Sequence, residues 1–158
     1  MNLQNPLRRR LLTLLGVGSL AFGTKRAEAH HTETHFAESS AHNLIYQCNK
    51  ADDEYFSHIL FSVGEMLRKY GDDIEIIVAA FGPGIQLLGK NPTRKFDMKH
   101  QKTVQSLAQY GVAFHACGNT MKSLKWAKDD LLSVAKVVPI GVDDIMQLQE
   151  KGFSYIAI

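Results

Sequence analysis

The chain has 158 residues, a length that suits one domain with a substantial core. Hydrophobic residues make up 45% of it and charged residues 22%, which are ordinary values for a globular protein. The formal net charge is +2, but residues 1–29 hold five basic side chains and one acid, so the rest of the chain has thirteen basic and fifteen acidic side chains. This slightly acidic body gives no support for nucleic-acid binding, and we expect no nucleic-acid partner.

Residues 1–29 have the three parts of an export signal. Arg8-Arg9-Arg10 precede a thirteen-residue apolar stretch, Leu11 to Gly23, and the cleavage motif Ala27-Glu28-Ala29 follows. The stretch is shorter than the ~20 residues that span a bilayer as a helix. The arginines suit the twin-arginine route, although Leu7 stands where Ser or Thr is usual. We therefore predict a periplasmic protein that meets a membrane only through its signal, with an uncleaved anchor as the alternative.

Residues 30–42 are polar and lack apolar periodicity, which predicts a flexible, His-rich tether. Its histidines could bind copper or zinc, but their spacing fixes no coordination geometry, so a tether is favoured. They are His30, His31, His35 and His42.

From residue 43 to residue 158, strand and helix patterns alternate. Strands are predicted at residues 43–49, 73–81, 112–116, 136–140 and 153–158. Helices are predicted at residues 52–70, 96–110, 131–135 and 141–151, with a short helix or turn at residues 121–126 and a short apolar turn through residue 88. Because crossovers between parallel strands are right-handed, this order predicts a single α/β domain, a three-layer α/β/α sandwich with a five-stranded parallel sheet.

Three polar or glycine-containing segments follow the first three predicted strands. They are Cys48-Asn49-Lys50, Gly82-Pro83-Gly84 and Cys117-Gly118-Asn119-Thr120. Open parallel sheets bind ligands outside the carboxyl ends of their strands, so we predict a site at this edge. Its candidate anion-binding residues are Gly82, Gly84, Gly118, Asn119 and Thr120. A plain tight turn is the alternative for the glycine loop.

Cys117 is the candidate reactive residue of this edge. It ends a strand just before a helix start, where amide N–H groups and the helix dipole favour a thiolate. His115 lies two residues earlier and so points to the same face of the strand, where it could tune or deprotonate the thiol. A buried, hydrogen-bonded histidine is the alternative interpretation.

Cys48 has two interpretations. It could be a buried core residue, or it could pair with Cys117 in an oxidising compartment. The strand order decides between them. Neighbouring first and third strands would permit a bridge, whereas one intervening strand would place the two cysteines roughly 9–10 Å apart and exclude it.

Several other kinds of site are not supported. No Gly-x-Gly-x-x-Gly follows the first strand, Gly89-Lys90 precedes Asn91 instead of Ser or Thr, and there is neither a serine nucleophile elbow nor a Cys-x-x-Cys motif. The acidic pairs at residues 52–53, 129–130 and 143–144 occupy predicted helix starts, where capping explains them.

Three segments resemble the DsrE/DsrF-like family of small sulfur-relay proteins: residues 80–85, residues 104–112 and residues 114–121. The resemblance covers residues 43–158 and implies a parallel α/β/α fold and a homo-oligomer, often a trimer or hexamer. Some members carry sulfur as a persulfide on a cysteine after the third strand, and Cys117 alone matches that position.

The resemblance therefore leads to the hypothesis of a periplasmic sulfur carrier with Cys117 as the carrier thiol and His115 assisting. The surrounding glycines, Asn119 and Thr120 would form the persulfide environment. Its partners would be sulfur donors and acceptors, either proteins or small sulfur compounds, and the chemistry needs neither a metal nor an organic cofactor. The alternatives are a non-catalytic ligand-binding or assembly module with a structural Cys117, and metal handling by the tether.

Overall fold

The computed structural model describes residues 40–158. The predicted export signal and residues 30–39 of the predicted tether lie outside the described residues. The first strand begins at His42, so the last residue assigned to the tether belongs to the sheet. The His42 ring lies 4.3 Å, centroid to centroid, from the ring of Tyr70.

Five strands form one sheet, as the alternating pattern predicts. They are β1 (His42–Cys48), β2 (Ile74–Ala80), β3 (Ala113–Cys117), β4 (Ala135–Val138) and β5 (Ser154–Ile156). Their spatial order is β4-β3-β2-β1-β5, and every neighbouring pair is parallel. The carboxyl ends of β1, β2 and β3 therefore lie side by side, with β2 between the two strands that end in cysteine.

Four α-helices cover the sheet or border its carboxyl edge. They are α1 (Asp53–Tyr70), α2 (Lys99–Gln109), α3 (Gly118–Leu124) and α4 (Gly141–Glu150). Short 3₁₀ turns lie at Gly71–Asp73, Gly82–Leu88 and Lys128–Asp130. The fold class is thus the predicted three-layer α/β/α sandwich.

Helix α1 shows how the sequence sets an element's limits. The Asp52 carboxylate accepts a hydrogen bond of 2.9 Å from the Tyr55 N–H, which caps the first turn. Asp53 and Glu54 then place negative charge near the positive end of the helix dipole. The helix ends at Gly71, whose φ of 57° suits a residue without a Cβ.

The two faces of the sheet pack against different helices. On one face, apolar side chains of α1 and α2 pack against alternate strand residues, including Tyr46 and Cys48 of β1. On the other face, Ile145 and Leu148 of α4 pack against Ile45 and the neighbouring strand. Since successive strand residues point to opposite faces, the position of each residue in its strand decides which helix it meets.

The helix predicted at residues 131–135 is wrong. Leu131 forms an antiparallel bridge with Gly89. The N–H of Leu132 donates to the carbonyl of Leu88 at 2.8 Å, and the N–H of Lys90 donates to that of Asp130 at 2.7 Å. These bonds from a distant segment hold the chain extended, so tertiary pairing overrides the local helical pattern.

The helix predicted from residue 96 begins at Lys99. The Asp97 carboxylate accepts a 2.9 Å hydrogen bond from the Lys99 N–H, and the Asp97 N–H itself donates to the Asp53 carboxylate at 2.6 Å. Asp97 is thereby held outside the helix at its start.

None of the helices within residues 40–158 has the length and apolar character required to cross a membrane.

Candidate functional site

Cys117 is the last residue of β3 and directly precedes α3. Its side chain is buried with 5% exposure and faces the α4 side of the sheet. There the N–H of Gly141, the first residue of α4, donates to the Cys117 Sγ at 3.2 Å. A donor that belongs to another element is thus directed at this sulfur.

Thr120 connects the sulfur to the glycine loop. The Gly82 N–H donates to Thr120 Oγ1 at 3.0 Å, so the hydroxyl proton of Thr120 is free to point elsewhere. This hydroxyl and the backbone N–H groups of Thr120 and Asn119 lie near the Cys117 thiol and lower its pKa. The Asn119 N–H makes its own hydrogen bond to the Pro139 carbonyl at 3.2 Å. The sulfur therefore accepts a hydrogen bond from Gly141 of α4 and lies near three polar O–H or N–H groups of α3.

Burial and hydrogen bonding act in opposite directions on the Cys117 thiol. Burial is the largest single influence and raises its pKa, because it disfavours the charged form. The Thr120 hydroxyl and the N–H groups of Gly141, Thr120 and Asn119 lower the pKa, because they stabilise the charged form. Together they outweigh burial, so the pKa lies below the ordinary value for cysteine and the thiolate is favoured.

His115 lies on the same face of β3 as Cys117, as the spacing predicts. It is buried, and its Nδ1 lies 2.7 Å from Oδ2 of Asp144 in the first turn of α4. Among the described residues, no hydrogen bond joins its ring to Cys117, and the groups that lower the thiol pKa do not include it. Both His115 and Cys117 contact the start of α4, but through different groups.

The sequence model of the DsrE/DsrF-like family matches residues 37–158, which contain every strand and helix described above. The chain belongs to the DsrE/DsrF-like family. The resemblance seen in the sequence is therefore confirmed, and sulfur relay is the type of function that this family suggests.

Two solved structures have a similar fold. The protein of unknown function MTH1491 from Methanobacterium thermoautotrophicum is 25% identical, with a TM-score of 0.59, and the match covers 74% of this chain and 99% of that one. The conserved protein of unknown function BT1422 from Bacteroides thetaiotaomicron is 16% identical, with a TM-score of 0.52, and the match covers 77% and 99%. The second likeness concerns the fold alone. No curated protein matches the sequence significantly.

In this DsrE/DsrF-like domain, the predicted anion-binding glycines have different surroundings. Gly82, with a φ of 51°, directs its N–H at Thr120 instead of at the sulfur. Gly84 packs so closely on the backbone of Cys48 that a Cβ there would overlap the Cys48 carbonyl. A Cβ on Gly118 would lie 3.1 Å from the carbonyl oxygen of Val138, so this glycine lets α3 start close to β4.

Cys48 is fully buried on the other face of the sheet, in the cluster under α1. Its Sγ lies 3.8 Å from the Gly84 carbonyl oxygen, and burial raises the pKa of its thiol to about 12. Both cysteines are free, and β2 separates their strands. Of the two interpretations made from the sequence, the core residue is the one found.

Sequence reasoning missed Gly141 and Asp144 as neighbours of the candidate site. Gly141 was assigned only to a helix start and Asp144 only to a capping pair. A Cβ on Gly141 would lie 3.1 Å from both the Cys117 Cβ and the Phe81 Cβ, so only glycine fits without displacement. The sequence does contain a signal for Gly141, since a glycine begins the helix that follows β4. That glycine lies beside Cys117 only because β4 is the neighbour of β3, and the sequence does not give this strand order.

Among residues 40–158, no three histidine, cysteine, aspartate or glutamate side chains are grouped so that they could hold a metal ion.

Proposed function

We propose that this protein is a periplasmic sulfur carrier that holds sulfur as a persulfide on Cys117. Membership of the DsrE/DsrF-like family supports sulfur relay in general, and the finer assignment rests on the site itself. The observation that carries it is the hydrogen bond of 3.2 Å from the Gly141 N–H to the Cys117 sulfur, at the end of β3. With the nearby hydroxyl and N–H groups of α3, it lowers the pKa of a thiol that burial alone would raise.

Loading is a nucleophilic displacement at sulfur. The Cys117 thiolate attacks the outer sulfur of a donor such as thiosulfate. A new S–S bond forms, the donor's S–S bond breaks, and sulfite leaves with the bonding electron pair. With a polysulfide the leaving group is the shortened polysulfide. No net oxidation occurs, and no metal or organic cofactor takes part.

Unloading is the same reaction with the roles exchanged. An acceptor thiolate attacks the outer sulfur of the persulfide, takes it over, and releases Cys117 as a thiolate. The Gly141 N–H and the nearby polar groups stabilise the negative charge that returns to the Cys117 sulfur as the persulfide bond breaks. A thiolate that is a good leaving group because of its low pKa assists this second step.

The thiol that accepts the sulfur has to belong to another molecule, because Cys48 is unsuited to this role. Cys48 lies on the opposite face of the sheet, beyond β2, and its thiol is protonated at neutral pH because burial raises its pKa to about 12. It is therefore unsuited to attack a persulfide on Cys117. The 5% exposure of Cys117 favours small donors, such as thiosulfate or polysulfide, over bulky ones.

Intact-mass measurement tests this proposal. The protein, reduced and freed of reductant, is treated with polysulfide or thiosulfate, and we expect one additional sulfur atom per chain that dithiothreitol removes. Cys48→Ala should take up the same sulfur, and Cys117→Ala should take up none. Absence of an adduct with several donors, although Cys117 is reduced and alkylatable, would instead support a structural cysteine in a ligand-binding or assembly module.

Localisation and assembly are further parts of the proposal. Export rests on the signal-like residues 1–29, and fusion of these residues to a reporter tests it: the reporter should reach the periplasm, and replacing Arg8 to Arg10 with lysine should retain it in the cytoplasm.

We also propose a homo-oligomer, a trimer or hexamer. Val142 and Met146 support it, because they lie four residues apart on one face of α4 and are 60% and 50% exposed. Light scattering should give a mass of three or six chains, and Val142→Asp with Met146→Asp should lower it; a monomeric native protein would refute this part.

A further inference from the structure

A buried polar contact joins the middle of β3 to the first turn of α4. His115 is 4% exposed, and its Nδ1 lies 2.7 Å from Asp144 Oδ2. Asp144 in turn donates its backbone N–H to the Ile140 carbonyl at 3.0 Å, which closes the first turn of the helix. The side chain of Asp144 is therefore a direct link between the sheet and this turn.

The same turn supplies a donor to the sulfur. Gly141 lies three residues before Asp144, and its N–H donates to Cys117 Sγ at 3.2 Å. Cys117 lies two residues after His115 on the same face of β3. His115 and Cys117, on the same face of β3, are thus hydrogen-bonded to Asp144 and Gly141 of one helical turn.

The direction of an N–H donor depends on how its helix is held. Gly141 has no side chain of its own to fix it, and it fits between the Cβ atoms of Cys117 and Phe81 with only 3.1 Å available to a Cβ on each side. Ile140, the residue before α4, has a hydrocarbon side chain and so cannot cap the helix through it. The contact between His115 and Asp144 joins a side chain of this turn directly to a side chain of β3.

We propose that His115 and Asp144 are positioning residues, whose hydrogen bond holds the first turn of α4 so that the Gly141 N–H points at the Cys117 sulfur. This inference deepens the proposed function and rests on it, since it states how the carrier thiol is prepared. It assigns to His115 an indirect part, in place of removing the thiol proton.

Asp144→Ala gives a test in which two effects have opposite signs. Removing a nearby negative charge by itself lowers a thiol pKa, whereas releasing the Gly141 donor raises it. We expect the pKa of Cys117, measured from the pH dependence of its alkylation by iodoacetamide, to rise by about one unit. Cys48→Ala serves as the background, so that one thiol is observed.

Asp143→Ala is the matched control. Asp143 lies in the same turn, but its carboxylate accepts a hydrogen bond from the exposed Gln147 side chain at 2.7 Å, and the His115 Nδ1 pairs with Asp144 instead. We expect its removal to leave the pKa of Cys117 unchanged or slightly lower. A rise equal to that of Asp144→Ala would overturn the proposal.

His115→Asn and His115→Leu separate positioning from proton transfer. Asparagine can donate from about the position of Nδ1, so we expect it to keep the low pKa, whereas leucine should raise it. If both variants raise the pKa equally, the imidazole itself is needed and the proposal is wrong. This pair also decides the question if Asp144→Ala does not fold.

Nitrogen-15 NMR of the Gly141 amide gives a second readout, one that a general loss of stability would not move. Its proton shift should follow Cys117 ionisation in the parent protein and in Asp143→Ala, but not in Asp144→Ala. An amide that still follows the ionisation in Asp144→Ala would contradict the proposal. None of these measurements requires sulfur transfer, so a failed carrier hypothesis and a failed positioning hypothesis give different results.

Discussion

The pKa of the Cys117 thiol is set by two opposing influences: burial raises it, and nearby hydrogen-bond donors lower it. Thr120 contributes both its hydroxyl and its N–H, and the hydroxyl is oriented by the Gly82 N–H at 3.0 Å. Thr120→Val keeps the shape and removes the hydroxyl. We expect the pKa of Cys117 to rise by about one unit, because hydrogen bonds to a charged group are among the stronger ones.

The alkylation rate as a function of pH measures this shift. Thr120→Ser is the control, since it keeps the hydroxyl and should leave the midpoint nearly unchanged. A Thr120→Val protein with the parent midpoint would mean that the hydroxyl does not reach the sulfur.

Cys48 gives a prediction about stability and pH. Its folded-state pKa is raised to about 12 from an ordinary value of 9.0, so the folded protein keeps a proton that the unfolded chain loses. The associated stability is present in full below pH 9.0 and is lost as the pH rises toward about 12. Between pH 8 and pH 10, the free energy of unfolding should therefore fall by about 1 kcal/mol more in the parent protein than in Cys48→Ala.

Urea unfolding at the two pH values measures this difference. Comparison with Cys48→Ala cancels the titration of lysines and tyrosines, which both proteins share. Equal falls in the two proteins would show that Cys48 ionises as easily in the folded state as in the unfolded chain.

At the scale of single residues, the sequence predicted Cys117 as the site and the segment around Thr120 as its surroundings. These predictions were possible because a strand end and a helix start are local patterns, and the site role of Cys117 stays a prediction. Gly141 and Asp144 were missed as partners because their role depends on which strand lies beside β3, and sequence periodicity does not contain that order.

Among the elements, the loop after β2 is fixed by close packing on β1. A Cβ on Gly84 would overlap the Cys48 carbonyl, a backbone group that cannot turn aside. We expect Gly84→Ala to lower the free energy of unfolding by about 2 kcal/mol or more, since overpacking forces backbone shifts.

Gly64→Ala is the matched control for this prediction. Gly64 lies inside α1, and an added Cβ would meet nothing within 4 Å beyond the neighbouring residues and backbone of the helix itself, so alanine should stabilise the helix by roughly 0.5–1 kcal/mol. Chemical denaturation measures both variants. A neutral effect of Gly84→Ala would show that the loop does not pack on β1 as described.

The elements also show what local sequence determines. The strands and α1 were predicted to within two residues at each end, because their apolar periodicity and capping residues are strong local signals. The helix at residues 131–135 was not found, because Leu131 and Leu132 pair with the segment Leu88–Lys90 instead. Such pairing joins distant parts of the chain and leaves no trace in a local pattern.

At the scale of the whole molecule, the strand order determines whether Cys48 can react with a persulfide on Cys117. The order β4-β3-β2-β1-β5 separates the two cysteines by a strand, and they face opposite sides of the sheet. A persulfide on Cys117 therefore has no partner thiol within the described domain with which to form a disulfide and release sulfide. We expect a loaded protein to keep its sulfur until an external thiol is added.

Sulfide release from the loaded protein, followed without and with added thiol, measures this retention. Cys48→Ala should lose its sulfur at the same slow rate as the parent protein. A faster release in the parent, accompanied by a bond between Cys48 and Cys117, would contradict the topology.

The central claim is that the thiolate of Cys117 takes up sulfur. The rate of sulfur uptake from thiosulfate or polysulfide by Cys48→Ala, measured by rapid quenching and intact mass as the pH is varied, tests it most directly. We predict that the rate follows a single ionisation with the same midpoint as alkylation of Cys117, below the ordinary cysteine value, once the donor's own ionisation is allowed for. Uptake that persists in Cys117→Ala, or that shows no dependence on this ionisation, would contradict the claim.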